Sequence, residues 1–187
     1  VINRIDIADG GADYASTPTA TVDAPATFSF NTFSDISGST ISIPDNPFTN
    51  GLRLVYSTAS GSENTNLVDG NTYYVVNSVG NSFGLANSQG GSAISLSQSA
   101  DDTSAESHSL TGVTATVTLT QSGGEITGIT INDQGTLYDG NSLPSITIDE
   151  AGQTTHATLT VFCGRSLSSI SIGSRGSGYS SAPTVSI

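Results

Sequence analysis

The sequence predicts an all-β protein: repeated antiparallel β-units carrying an inserted small β-sandwich or barrel domain. Three observations lead there. Apolar residues alternate with hydroxyl residues at a period of two, no window sustains apolar spacing at i, i+3, i+4 and i+7, and one strand–turn–strand pattern occurs three times. The alternation is clearest in residues 40–43, 113–119 and 157–161, where one face is mostly aliphatic and the other is threonine or serine. That is the pattern of a half-buried antiparallel strand.

Each copy of the pattern is an isoleucine-rich strand, a glycine turn, a tyrosine and a strand started by proline. The first copy places Ile2, Ile5 and Ile7 before Gly10-Gly11, Tyr14, Pro18 and Thr21-Val22. The second places Ile126, Ile129 and Ile131 before Gly135, Tyr138, Pro144 and Ile146-Thr147-Ile148. The third places Leu167, Ile170 and Ile172 before Gly176-Ser177-Gly178, Tyr179, Pro183 and Val185-Ser186-Ile187. A linking strand precedes each of the last two copies, at 113–119 and 157–162, and Tyr138 and Tyr179 stand 41 residues apart. One unit has too little apolar area to fold alone, so neighbouring units should pack together. Tyr14, Tyr138 and Tyr179 read as anchors, with the ring over the hairpin core and the hydroxyl capping a backbone group. Pro18, Pro144 and Pro183 then start strands at positions that need no amide donor.

Residues 28–110 separate the first two copies and follow a grammar of their own. Short strands at 40–43, 51–56, 71–77, 82–86 and 93–96 alternate with turn signals such as Asp69-Gly70 and Gly90-Gly91. This spacing predicts a small sandwich or barrel, with one ring of Tyr73-Tyr74 inward and the other outward. A whole domain is tolerated in a surface turn when its ends lie close together. The expected organisation is therefore a first unit at 1–27, an inserted domain at 28–110, and second and third units at 111–187 packed with the first.

Composition narrows the function classes. Sixteen acids face four arginines, lysine is absent, and the net charge is −12. Nucleic acid and anionic membrane surfaces both need basic partners, so neither is expected. No run of about eighteen apolar residues offers a membrane span. The single Cys163 has no intrachain partner and reads as a buried, inert thiol at a strand end. The chain starts inside one repeat and stops as another finishes, which suggests a piece of a longer polypeptide.

Catalytic signals are thin. His108 and His156 sit in serine- and threonine-rich settings and read as exposed or strand-end residues, not as a base for a serine nucleophile. His156 and Cys163, seven residues apart on one strand, fall on opposite faces. The adjacent acids Asp101-Asp102 and Asp149-Glu150 also point apart on a strand, whereas glycosidase chemistry needs two carboxylates facing one groove. No enzymatic activity and no cofactor are expected. Calcium is the metal to consider, through Asp9 and Asp13 on one glycine turn and Asp133 and Asp139 on the other, because hard oxygen ligands suit it. The ordinary reading of the same residues is Asx and glycine turns.

The strand, Gly-x-Gly-Tyr turn and Pro-Thr-Val-x-Ile strand, best seen in Ile170–Gly173, Gly176–Tyr179 and Pro183–Ile187, resemble repeats in virion structural proteins of tailed bacteriophages, marine ones especially. Copies one and two lack the second glycine, having Gly10-Gly11-Ala12-Asp13-Tyr14 and Gly135-Thr136-Leu137-Tyr138. Residues 67–76 with Phe83-Gly84-Leu85-Ala86 resemble a module of the same proteins and of large bacterial surface proteins. The resemblance implies a fibre, appendage or decoration role, in a virion or outside a cell. Its partners would be copies of itself or other subunits, and assembly would run through strand edges at Val1, Ile2, Ile5, Ile7, Val185 and Ile187. The rival expectation is a bacterial filament or adhesin module binding glycan through loops at 60–66 or 87–92.

Overall fold

The computed structural model describes residues 1–58, 66–97, 108–149 and 155–164. They form an all-β structure of thirteen strands, and no helix long and apolar enough to cross a membrane occurs among them. The third copy of the repeat, with Tyr179, Pro183, Val185 and Ile187, lies outside the described residues.

Seven strands make one antiparallel sheet. They are β3 (Thr27–Phe30), β4 (Ile36–Ser37), β5 (Thr40–Ser42), β6 (Arg53–Thr58), β7 (Thr72–Val79), β8 (Ser82–Ala86) and β9 (His108–Gly112). Their order is β3-β9-β6-β7-β8-β5-β4, so the two edge strands are joined by residues 31–35 alone. The sheet therefore curls on itself, and Phe30 from one edge and Ile36 from the other enter the same core. Residues 93–96 carry no strand of their own, yet the Ile94 amide donates to the Leu85 carbonyl at 2.7 Å and lays that segment along β8. Inside, Phe48 meets Phe28 and Phe83 edge-on with ring centroids 5.1 and 4.9 Å apart, the geometry favoured by the ring quadrupoles. Tyr73 is buried and accepts from the Val68 amide, while Tyr74 is half-buried.

The remaining strands form three pairs over a second core: β1 (Ile2–Asp9) with β13 (Thr158–Cys163), β10 (Thr116–Ser122) with β11 (Glu125–Asp133), and β2 (Thr19–Val22) with β12 (Ile146–Asp149). The β10–β11 pair is a local hairpin closed by Gly123 and Gly124, both at positive φ, where a side chain would be strained. The β1–β13 pair joins opposite ends of the described chain, yet its register matches the hairpin. Ile5 lies opposite Val161 and Ile7 opposite Leu159, as Ile129 lies opposite Leu119 and Ile131 opposite Val117. Each pair also carries a bulge just before its aspartate, Asp9 or Asp133.

A pseudo-two-fold axis relates the two halves. It passes between Thr21 and Thr147, which face each other in the β2–β12 ladder, so Ala20 meets Ile148 and Val22 meets Ile146. The same symmetry appears in a reciprocal pair of bonds: the Ile126 amide donates to the Gly10 carbonyl and the Ile2 amide to the Gln134 carbonyl, both at 2.9 Å. Ile2, Ile5, Val22, Ala115 and Val161 share one buried cluster, which Tyr138 completes.

The two cores meet at Gly112, the end of β9. A methyl group there would strike the Thr136 carbonyl oxygen and stand 2.9 Å from both Leu137 Cβ and Pro25 Cγ. Gly112→Ala is therefore expected to lower stability by about 1–3 kcal/mol through overpacking. A urea midpoint unchanged by that substitution would show that the junction is looser than this geometry.

Candidate functional site

The glycine–tyrosine turns are where the sequence concentrates its unusual residues, and both described turns are built alike. Asp9 Oδ1 accepts from the Gly11 amide at 2.8 Å, and Asp133 Oδ1 accepts from the Gly135 amide at 2.8 Å. These are Asx turns, in which the carboxylate stands in for a backbone acceptor. Gly11 and Gly135 follow at φ 69° and 63°, and a Cβ on either would press against the ring of the tyrosine three residues on. The next amides, Ala12 and Thr136, bond the carbonyls of Thr155 and Val113. The tyrosine hydroxyls then take the amides two residues further along: Ala157 donates to Tyr14 at 2.9 Å and Ala115 to Tyr138 at 3.1 Å. Each turn thereby grips the segment that enters β13 or β10.

Asp13 and Leu137 stand where the third copy has its second glycine, at φ 66° and 58°, in the left-handed region that L-residues adopt at a cost of roughly 1–2 kcal/mol. Tyr14 is 2% exposed and Tyr138 8%, so neither ring is open for stacking a ligand. Tyr138 also donates to the Asp23 carbonyl at 2.8 Å, and burial pushes its hydroxyl pKa up. Pro18 is buried immediately before β2, and Pro144 is half-buried two residues before β12.

Of the four candidate calcium ligands, Asp9 and Asp13 sit on one turn and Asp133 and Asp139 on the other. Asp133 makes a two-point ion pair with Arg53, with Nη1 2.8 Å from Oδ2, and both side chains are about two-thirds buried. Asp139 Oδ1 accepts from the Asn141 amide at 3.2 Å. No three histidines, cysteines or acids gather as a metal site among the described residues.

The other reactive groups are placed as follows. His108 takes the second of its two expected placements, a strand end: it opens β9, and it is 0% exposed, stacked on Tyr56 and accepting from or donating to Tyr56 Oη through Nδ1 at 2.7 Å. It lies inward because its strand is the second in the curled sheet, facing Phe30 across the ladder. His156 is exposed. Cys163 is half-buried where full burial was expected, since β13 ends there, and burial still pushes its thiol pKa up. Asp149 is exposed at the end of β12, and Asp101, Asp102 and Glu150 lie outside the described residues, as do residues 60–65 of one candidate glycan loop. Gly80-Asn81-Ser82-Phe83-Gly84 has the Gly-x-Ser-x-Gly spacing of a nucleophile elbow, so that spacing is present in the sequence although no serine nucleophile was expected from it. It forms the hairpin turn between β7 and β8, not a strand-to-helix turn, and Ser82 Oγ is hydrogen-bonded to Ser42 Oγ at 2.8 Å.

The expected assembly strand at the chain start is engaged within the chain. Ile2 and Ile5 are 0% and 7% exposed, and β1 is paired along its length with β13, because β13 offers it the same partners that β10 offers β11. Between the two cores lies a cleft of about 680 Å³ lined by Phe28, Pro47, Leu52, Leu137, Tyr138 and Asp139, among others. Comparison of the chain with protein-family models, with curated proteins and with solved structures finds no match.

Two outcomes follow from this geometry. Tyr138→Phe leaves the buried Ala115 amide and the Asp23 carbonyl without their partner and is expected to cost about 1–3 kcal/mol. Tyr14→Phe frees the Ala157 amide, which is only partly buried, so its denaturation midpoint should fall less. The second outcome concerns pH. The hydrogen bond from Arg53, helped by the Gly135 amide, holds the Asp133 carboxyl below the usual carboxylate range. A depressed folded-state pKa adds stability that is present above the unfolded value, about 3.9, and is lost as pH falls through the lower folded value. The stability difference between the parent chain and Asp133→Asn should therefore shrink in acid, read from urea midpoints between about pH 6 and pH 2.

Proposed function

We propose that the chain is a structural subunit of an extracellular assembly, most simply a virion fibre, tail or decoration component, that works by assembly and not by catalysis. The observation that carries this reading is the reuse of one turn geometry on both sides of a pseudo-two-fold axis. At both turns the distinctive polar groups, Asp9, Asp133, Tyr14 and Tyr138, hold backbone. A scaffold of interchangeable strand pairs suits stacking against further copies or further units. The charge of −12 without lysine and the serine- and threonine-rich strand faces fit a surface exposed outside a cell. The resemblance to bacteriophage repeat proteins gives the more specific form of the proposal.

A second reading is a filament or adhesin module that binds glycan. The cleft between the cores favours it, since Phe28, Leu52 and Leu137 give an apolar floor and Asp139 a polar rim. Immunogold electron microscopy of native material with antibody to this chain separates the readings. Label on capsids, tails or free extracellular filaments is the expected outcome, and label confined to the cell interior would sink the proposal. Saturable binding on a glycan array, lost in Asp139→Ala, would move the assignment to the adhesin.

A further inference from the structure

The chain contains a single Asn-Gly pair, Asn50-Gly51, and the fold clamps both of its reactive groups. Asparagine before glycine is the pair most open to spontaneous ring closure, because no Cβ shields the glycine nitrogen from the asparagine side chain. The pair lies in the strap of residues 43–52 that joins β5 to β6. This strap carries Phe48 into the core, where it is 3% exposed between Phe28 and Phe83. Asn50 itself is exposed.

Strand β7 holds the strap in place. Its bulge sets Asn77 at φ 53°, and the next residue, Ser78, meets the strap three times. The Ser78 amide donates to Asn50 Oδ1 at 2.8 Å, and its hydroxyl donates to the Phe48 carbonyl at 2.7 Å. The same hydroxyl accepts from Asn46 Nδ2 at 3.1 Å, and Asn46 also donates to the Gly80 carbonyl. On the other side of the pair the Gly51 amide donates to the Val75 carbonyl at 2.8 Å. The nitrogen that must attack is thus committed as a donor. The carboxamide it must attack is fixed to a different partner on the same strand.

We propose that Asn50 is a modification site, converted without an enzyme to aspartate and isoaspartate when the strap lifts and protected while Ser78 clips it. Hydroxide takes the Gly51 amide proton and the nitrogen bonds to Asn50 Cγ. The Cγ–Nδ2 bond breaks, and the leaving nitrogen takes up a proton from water and departs as ammonia. Water then opens the five-membered imide. Opening at Cγ leaves aspartate, whereas opening at the main-chain carbonyl leaves isoaspartate, with one extra carbon in the backbone. The aspartate form keeps an acceptor for the Ser78 amide. The isoaspartate form displaces Gly51 from Val75, so the strap cannot close again as before. The strap is therefore a one-way device that records its own openings. This inference does not depend on the assembly reading, since it concerns one turn of the single chain.

The test incubates the full chain in mildly alkaline buffer, folded and in urea, and then digests it. Mass spectrometry follows the peptide spanning residue 50, with its aspartate and isoaspartate forms separated by chromatography. Conversion is expected to be slower by roughly tenfold or more in the folded chain than in urea. Equal rates would overturn the proposal. Ser78→Ala removes both bonds of the hydroxyl and should move the folded rate towards the urea rate, as should Asn46→Ala, in chains whose urea midpoints show them folded. Tyr14→Phe lies in the repeat half, leaves the clip intact and should convert no faster than the parent. A Ser78→Ala chain as slow as the parent would refute the clip, and so would a Tyr14→Phe chain as fast as Ser78→Ala. Hydrogen exchange reads the consequence: the Gly51 amide should exchange faster in the isoaspartate form, and unchanged exchange there would equally overturn the proposal.

Discussion

A buried phenol holding a backbone amide is the constraint on which the repeat half of this structure depends. The turn before each tyrosine places its ring over the core, and the hydroxyl then fixes the entry of a strand distant in sequence. Tyr14 holds the Ala157 amide across 143 residues, and Tyr138 the Ala115 amide across 23. An amide buried without a partner costs about 1–3 kcal/mol, so the pairing selects the strand that can present it in the right place. From that choice follow the β1–β13 and β10–β11 registers, and from those registers the dyad through Thr21 and Thr147.

The curled sheet and the repeat half are joined by a small set of polar contacts. Thr136 accepts from the Val113 amide through its hydroxyl and donates to the Arg53 carbonyl, while the Arg53 guanidinium grips Asp133. These bonds join β6 of the curled sheet to the turn of the second repeat copy, next to the Gly112 close approach. Asp133 thus has two duties: it closes its own Asx turn and anchors the neighbouring sheet. Asp9, its counterpart across the axis, shows only the first among the described residues. The two halves therefore differ where the curled sheet attaches.

The fold class and the two described glycine–tyrosine turns were legible in the chain because both are properties of local spacing. Period-two alternation follows from strand geometry, and a residue pattern such as Asp-x-Gly-x-x-Tyr marks one turn wherever it occurs. The strands of residues 40–58 and 72–86 were placed within a few residues for the same reason. Asp13 and Leu137 adopt the left-handed conformation just before the two tyrosines, at a local cost of about 1–2 kcal/mol each. The burial of His108 was not legible, because nothing in its serine-rich neighbours says which strands will flank it.

The sequence by itself determined that the chain would be β-structure and where its turns fall. Both depend on residues close together in the chain. Only the tertiary structure decided that β1 pairs with β13, that residues 27–30 join the inserted sheet through β9, and that one sheet curls instead of two packing. Several strands here share the same threonine–aliphatic alternation, so many pairings satisfy the local pattern equally well. The choice among them is made by contacts between residues distant in sequence, which tyrosine hydroxyls, bulges and close-packed glycines can register only once the chain is folded.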